Sequence, residues 1–271
     1  MLALTDALFA RHGHSEANLA TQLLRQGDQE KAAQLLSGRH PDNVRLTSLG
    51  RAQAERLGDW LRTAARLRID HYRTSSLPRA IETSGRLRLP NAAWLIEPLL
   101  VERSLGTITL PETGAHVPAW EAHARAQIEK PLTWEPPGGE SILHVAKRVR
   151  FMLASLQHET GAMLCVTHRE TLWAIRTLFE HLSKDAFEAA YRSRAPEHRI
   201  WNCELFHYSR RDPATGALSP TFDWMRRVRI HESAPAQETV WKHIARPRHS
   251  NDDLLAIAAS HPSILEPDET P

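Results

Sequence analysis

The stretch "ARHGHSEAN" puts Arg11, His12 and His14 at the end of a short apolar run, with Ser15, Glu16 and Asn18 close behind. Two chemistries use such a set. An imidazole beside a guanidinium can take a phosphoryl group. A neutral histidine is a nucleophile near pH 7, and an arginine fork matches phosphate oxygens two at a time. Two histidines at i and i+2 can instead share a strand face and hold a metal ion. The metal reading lacks its further ligands. Where a His-x-His-x-Asp-His arrangement would continue, Glu16 and Ala17 stand, and Arg11 beside His12 repels a cation. Phosphoryl transfer asks mainly for positioning and charge stabilisation, which arginines, histidines and a helix end supply.

Three further stretches carry phosphate-competent groups: Ser76–Arg79, Glu102-Arg103 and Thr167-His168-Arg169. Each follows an apolar run with the look of a strand. "ALFA" (7–10), "IDHYRTS" (69–75), pieces of "AWLIEPLLVER" (93–103) and "AMLCVTH" (162–168) are read as strands. Helical spacing of apolar residues predicts helices over 46–67, 77–88, 119–129 and 138–159, with another after His168. Residues 19–46 read as a polar connection with a helix around Gln29–Leu36. "RIWNCELFHYSR" (199–210) and "TFDWMRRVRIHE" (221–232) alternate like late strands joined by the turn "RDPATGALSP". The progression predicts an α/β three-layer sandwich: a mostly parallel central sheet with helices on both faces and a mainly helical cap inserted at about 104–137. In open parallel sheets ligands bind beyond the carboxyl ends of the strands. Four separate segments therefore point at one rim.

Taken in order, "ARHGHSEAN", "LTSLGRAQA", "YRTSSLPRAIET", "LLVERSLG", "PPGGES" and "CVTHRETL" resemble the histidine phosphatase superfamily, the phosphoglycerate-mutase-like proteins. The resemblance runs across roughly residues 6–210. It implies that His12 is the nucleophile, with Arg11 beside it and Arg79 opposite. His168 would donate to a phosphate oxygen, the backbone N–H of Arg169 would face the anion, and Asn18 matches another phosphate contact. Glu102 would protonate the leaving oxygen and then take a proton from water. Here "ERSLG" keeps the acid, the arginine and the glycine of the family pattern but alters what lies between. His14 stands where the family usually has glutamate and is read as a rim residue.

The resemblance leaves three activities open. A phosphatase lets water reach the phosphohistidine, whereas a mutase must guard it and hold a phosphorylated acid in two orientations. The mutase pattern Glu-Arg-His-Tyr-Gly is only partly met at Glu102–Gly106, and no arginine-rich run follows. A metal-independent phosphomonoester hydrolase is therefore expected, with a small phosphorylated metabolite as substrate and no cofactor. A mutase is the alternative, as is a catalytically silent module that binds a phosphorylated ligand. His116, Trp120, His123, Arg125 and Trp134 are candidates to line the pocket from the cap.

Composition narrows the setting. The 271 residues are 41% hydrophobic and 24% charged, with a formal net charge of +2, an ordinary globular balance. So small a charge demands neither nucleic acid nor an anionic membrane as partner, and "RRVR" (226–229) reads as strand alternation. The two cysteines lie in apolar stretches and are read as reduced thiols in a cytoplasmic protein. A homodimer, frequent among soluble enzymes, is compatible with the sequence. The catalytic domain is placed at 1–232, and a partly loose C-terminal extension at 233–271.

Overall fold

The computed structural model describes residues 3–37, 40–107, 117–231, 234–246 and 248–262. Strands β1 (Leu4–Arg11), β2 (His71–Ser75), β3 (Trp94–Glu97) and β4 (Gly161–Thr167) pair in parallel in the order β3-β2-β4-β1. β5 (Leu205–Ser209) adds to β1 antiparallel, and β6 (Trp224–Arg229) adds antiparallel to β5. The expected α/β sandwich is present, its sheet parallel over β3-β2-β4-β1 and extended at one edge by an antiparallel hairpin. The connection 210–223 folds back on itself through the Arg211–Leu218 bridge and returns the chain antiparallel.

Strand alternation feeds two cores. Phe9, Met163, Cys165, Phe206 and Tyr208 face one side, beneath α6 (Ile142–Ser155), α7 (Arg169–Phe179) and α8 (Lys184–Arg192). Leu8, Ala10, Leu164, Val166 and Leu205 face the other, beneath α3 (Ser48–Thr63) and α4 (Pro78–Arg86). Each large side chain buried this way contributes roughly 1.5–3 kcal/mol.

Several boundaries differ from the sequence reading. The 19–46 connection holds α2 (Gln29–Leu36) as expected, but it is preceded by α1 (Glu16–Arg25). α1 opens with a reciprocal cap: Ser15 Oγ accepts from the Asn18 N–H, and Asn18 Oδ1 accepts from the Ser15 N–H. The two helices bury Ala20, Ala32 and Leu36 around Val44. α3 stops at Thr63, before Arg66, whose φ of 48° takes the chain out of the helix. α8 was not expected, and Ser183 caps it. In the cap, α5 spans Val117–Glu129. The sheet also continues past the expected boundary at 232, since β7 (Gln237–Glu238) and β8 (Lys242–His243) both pair with β6. α9 (Asn251–Ala259) follows, exposed throughout. Among the described residues no helix is long and apolar enough to cross a membrane.

Candidate active site

The parallel strands end together on one rim. β1 delivers Arg11 and His12, β2 ends at Ser75, and β4 runs into Thr167 and His168. From β3 a short turn at Pro98–Leu100 leads to Glu102. That turn is clamped from the helical layer. Arg148 on α6 donates to the carbonyls of Leu99, Val101 and Glu102, while Thr167 and Thr171 hydroxyls bond Leu100 and Val101 at 2.7 Å each. Glu140 fixes Arg148 in turn.

His12 is 3% exposed, and its Nδ1 lies 2.7 Å from the carbonyl oxygen of Gly13. A carbonyl can only accept, so Nδ1 carries the proton and Nε2 keeps its lone pair. Burial, then the charges of Arg79 and Arg11, hold the imidazole well below its usual pKa, so it is neutral at pH 7. The loop at Gly13 is itself pinned. Its N–H donates to Thr83 Oγ1 at 3.0 Å, and a Cβ on Gly13 would strike the backbone of Gly50 in α3.

His168, fully buried, sits with its ring centroid 5.1 Å from that of His12. Its Nε2 is 2.7 Å from Ser75 Oγ, which already accepts the Leu77 N–H. When the Ser75 hydroxyl donates to Nε2, the proton of His168 sits on Nδ1. Nδ1 is buried and has no hydrogen-bond partner among the described residues. Burial and the charges of Arg79, His12 and Arg11 keep His168 neutral as well.

The two guanidiniums bracket this pair. Arg11 donates through Nη1 to the Ile200 carbonyl at 2.9 Å, and burial together with the neighbouring Arg169 pushes its pKa down to about 10. Arg79 is 6% exposed, with Nη2 3.9 Å from Asp42. Burial lowers its pKa too, opposed by the charges of Glu102 and Asp42.

At the other side of the site stands a pair of carboxyls. Glu102 Oε1 accepts two backbone N–H bonds, from Arg103 at 3.0 Å and Glu170 at 3.1 Å. Burial, then the charge of Glu170, raises its pKa, opposed by the Arg103 N–H and the charges of Arg79 and Arg169. Glu170 is also buried, but Arg169, Arg103 and the Tyr191 hydroxyl outweigh that cost and keep it ionised. Its Oε1 pairs with Arg169 at 2.7 Å, and its Oε2 accepts from Tyr191 at 2.8 Å.

Other residues singled out from sequence fall as follows. Asn18 spends its side-chain oxygen on the Ser15 N–H and on Asn202 Nδ2, and Asn202 also bonds the His12 carbonyl. Only the amide NH2 of Asn18 remains to meet an anion. Arg169 begins α7, with its side chain locked to Glu170, and the N–H that meets a carboxylate there belongs to Glu170. His14 turns away to Thr47 Oγ1 at 3.0 Å, on the cap of α3. Among the described residues, no three His, Cys, Asp or Glu side chains gather as metal ligands. In the cap, His123 is buried against Trp134 with ring centroids 5.6 Å apart, whereas Arg125 is exposed. His116 and the side chain of Trp120 lie outside the described residues. Sequence reasoning missed Ser75, Thr83, Arg148, Glu170 and Asn202. Ser75 and Thr83 lie within "YRTSSLPRAIET" and Glu170 within "CVTHRETL", but their roles depend on partners distant in the chain.

Solved structures share this fold. The mycobacterial glucosyl-3-phosphoglycerate phosphatase superposes with a TM-score of 0.58 at 22% identity, covering 76% of this chain and 92% of its own. Bacillus stearothermophilus YhfR gives 0.57 at 21% identity, covering 79% of this chain and 95% of its own. Mycobacterial hydrolase 2 gives 0.56 at 22%, covering 94% and 97%. A search of curated protein sequences returned no significant match. The family model of the histidine phosphatase superfamily (branch 1) matches residues 7–195, and the chain belongs to that superfamily.

Proposed function

We infer that this chain is a phosphomonoester hydrolase that passes the phosphoryl group through His12. The observation that carries the reading is the tautomer of His12. It is buried and neutral, with Nδ1 tied to the Gly13 carbonyl and Nε2 free, and it sits in the field of Arg11 and Arg79. A neutral nitrogen nucleophile beside buried cations suits attack on a dianionic phosphate, because the cations neutralise the oxygens that would otherwise repel it.

The steps follow from the geometry. The Nε2 lone pair attacks phosphorus and the P–O ester bond breaks. Glu102 gives its proton to the departing oxygen as the phosphohistidine forms. Arg11, Arg79 and the Nδ1–H of His168 stabilise the three peripheral oxygens as they become more charged. Glu102, now a carboxylate, takes a proton from water, whose oxygen attacks phosphorus. The P–N bond breaks, phosphate leaves, and both His12 and Glu102 return to their starting states. The substrate is a small phosphorylated metabolite. The similarly folded protein named as a glucosyl-3-phosphoglycerate phosphatase supports hydrolysis as the outcome.

Turnover of 4-nitrophenyl phosphate, with and without EDTA and beside His12→Ala, tests the reading. Chelator-resistant release of phosphate, lost in the variant, supports it. A ³²P label stable to base, labile to acid and absent from the variant would identify the intermediate. Activity abolished by EDTA would overturn the route through His12. Labelling of His12 without phosphate release to water would favour the mutase instead. Tight phosphate binding with no turnover would mark a silent binding module.

A further inference from the structure

The run "RRVR" (226–229) reads from sequence as plain strand alternation, and β6 does carry it. Alternation puts Arg227 and Arg229 on one face, and both meet a single carboxylate there. Glu204 is fully buried, and its Oε1 lies 2.8 Å from each guanidinium. Its Oε2 accepts the Trp201 N–H at 2.9 Å. The two arginines also hold backbone. Arg227 donates to the carbonyls of Glu197 and Arg199, and Arg229 donates to that of Pro196 at 2.8 Å.

These contacts fasten the connection 193–204 between α8 and β5, which contains neither helix nor strand. The same loop grips the segment that carries the proposed nucleophile. Its Glu204 carbonyl accepts the Arg11 N–H at 3.0 Å, and its Cys203 N–H donates to the His12 carbonyl. Its Ile200 carbonyl takes Arg11 Nη1 at 2.9 Å. Among the described residues, that carbonyl is the one hydrogen-bond partner of the Arg11 guanidinium.

A guanidinium held by one carbonyl points where that carbonyl sends it. Two-point contact with phosphate oxygens needs such orientation, because the donors of the fork lie in one plane. The carbonyl sits in a loop without a strand ladder, so the side chains that fasten the loop set its position. Burying three charges is costly, and only full hydrogen bonding offsets the lost hydration. Apolar side chains could fill the same space, but they could not hold three loop carbonyls in place.

We propose that Glu204, clasping Arg227 and Arg229, is a positioning residue for Arg11. The clasp fixes the loop so that the Ile200 carbonyl aims the guanidinium at the phosphoryl oxygens beside His12. This assignment rests on the hydrolase reading above and adds to it a group that never meets the substrate.

A double-mutant cycle tests it, with Glu204→Gln and Arg11→Gln made singly and together. The readouts are kcat/KM on 4-nitrophenyl phosphate and the dissociation constant of inorganic phosphate. Glu204→Gln is expected to weaken both roughly 10- to 100-fold in the otherwise wild-type chain, within the range of coupling inside one hydrogen-bonded network. In the Arg11→Gln chain the same change is expected to cost less than about 2-fold, because the group it orients is gone. A residue that merely supports the fold would cost the same in both backgrounds, and that result would overturn the proposal while leaving hydrolysis intact. So would either single variant with both readouts unchanged. Arg229→Gln, at the partly exposed edge of the clasp, is read in the same cycle should Glu204→Gln not fold, with a smaller expected loss. If the wild type binds phosphate without turnover, the hydrolase reading fails alone and phosphate affinity carries the cycle. A wild-type protein that neither turns over the ester nor binds phosphate would fail both.

Discussion

The two ends of the site are tuned in opposite senses by the same force. At the phosphoryl end, burial and the cations Arg79 and Arg11 strip His12 and His168 of their protons' charge, leaving neutral imidazoles. At the leaving-group end, burial and the anion Glu170 raise the pKa of Glu102. Desolvation always opposes the charged form, so it lowers a histidine and raises a glutamic acid. The cations push the histidines further the same way, whereas at Glu102 the anion Glu170 adds to burial and Arg79 and Arg169 oppose it. The result is a neutral nucleophile at one end and a carboxyl biased towards its protonated form at the other, the pairing that acid-assisted nucleophilic attack requires.

If the ends divide their labour in this way, their variants must differ in kind. His12→Ala removes the nucleophile and is expected to cost on the order of 10⁴-fold or more in kcat with every phosphate ester, as nucleophile deletions do. Glu102→Gln is expected to cost roughly 10²- to 10⁴-fold with alkyl phosphates and much less with 4-nitrophenyl phosphate, whose leaving group needs no proton. Equal losses on both substrates would break the assignment of the acid to that end. Arg79→Ala should cost about 10²- to 10³-fold in kcat/KM, whatever the leaving group.

The pH dependence sharpens the contrast. His12 must be neutral to attack and sits below its usual value, so activity should persist as the pH falls below about 6.5. Glu102 must be protonated, so its raised pKa sets the alkaline limb. Glu170→Gln removes one cause of that rise and also frees Arg169. Both changes favour the Glu102 carboxylate, and the alkaline limb of kcat/KM should move to lower pH. An unmoved limb would show that Glu102 is tuned by burial alone.

Stability carries the smallest effect. The folded pKa values of His12 and His168 lie below the unfolded value of about 6.5. The folded state therefore binds fewer protons than the unfolded chain in the window beneath 6.5. Their contribution is complete above that pH and is lost as the pH falls towards the folded values. Tm should decline from pH 7 to pH 5.5, and His12→Asn should decline less steeply.

Much of this arrangement could be read along the chain. "ALFARH" and "AMLCVTH" each pair an apolar run with polar residues at its end, which suffices to place Arg11, His12 and His168 on a strand rim. Pro78 as a first helical residue sets where Arg79 emerges. Less legible was α1, whose start rests on a Ser15–Asn18 cap rather than on an apolar stripe. The antiparallel half of the sheet was legible as a hairpin but not in its effect on the sheet's character. Its strands alternate like any others, and only their pairing to β1 shows their direction.

Sequence by itself determined which residue types reach the rim, because strand and helix periodicity and short polar motifs are local properties. Tertiary structure alone decided what each of them is. The tautomer of His168 depends on Ser75, 93 positions away, and the clamp on the Glu102 segment depends on Arg148, 46 positions away. The raised pKa of Glu102 depends on Glu170, 68 positions on. Hydrogen-bond partners, burial and field are sums over atoms brought together by folding, and the order of residues along the chain does not contain them.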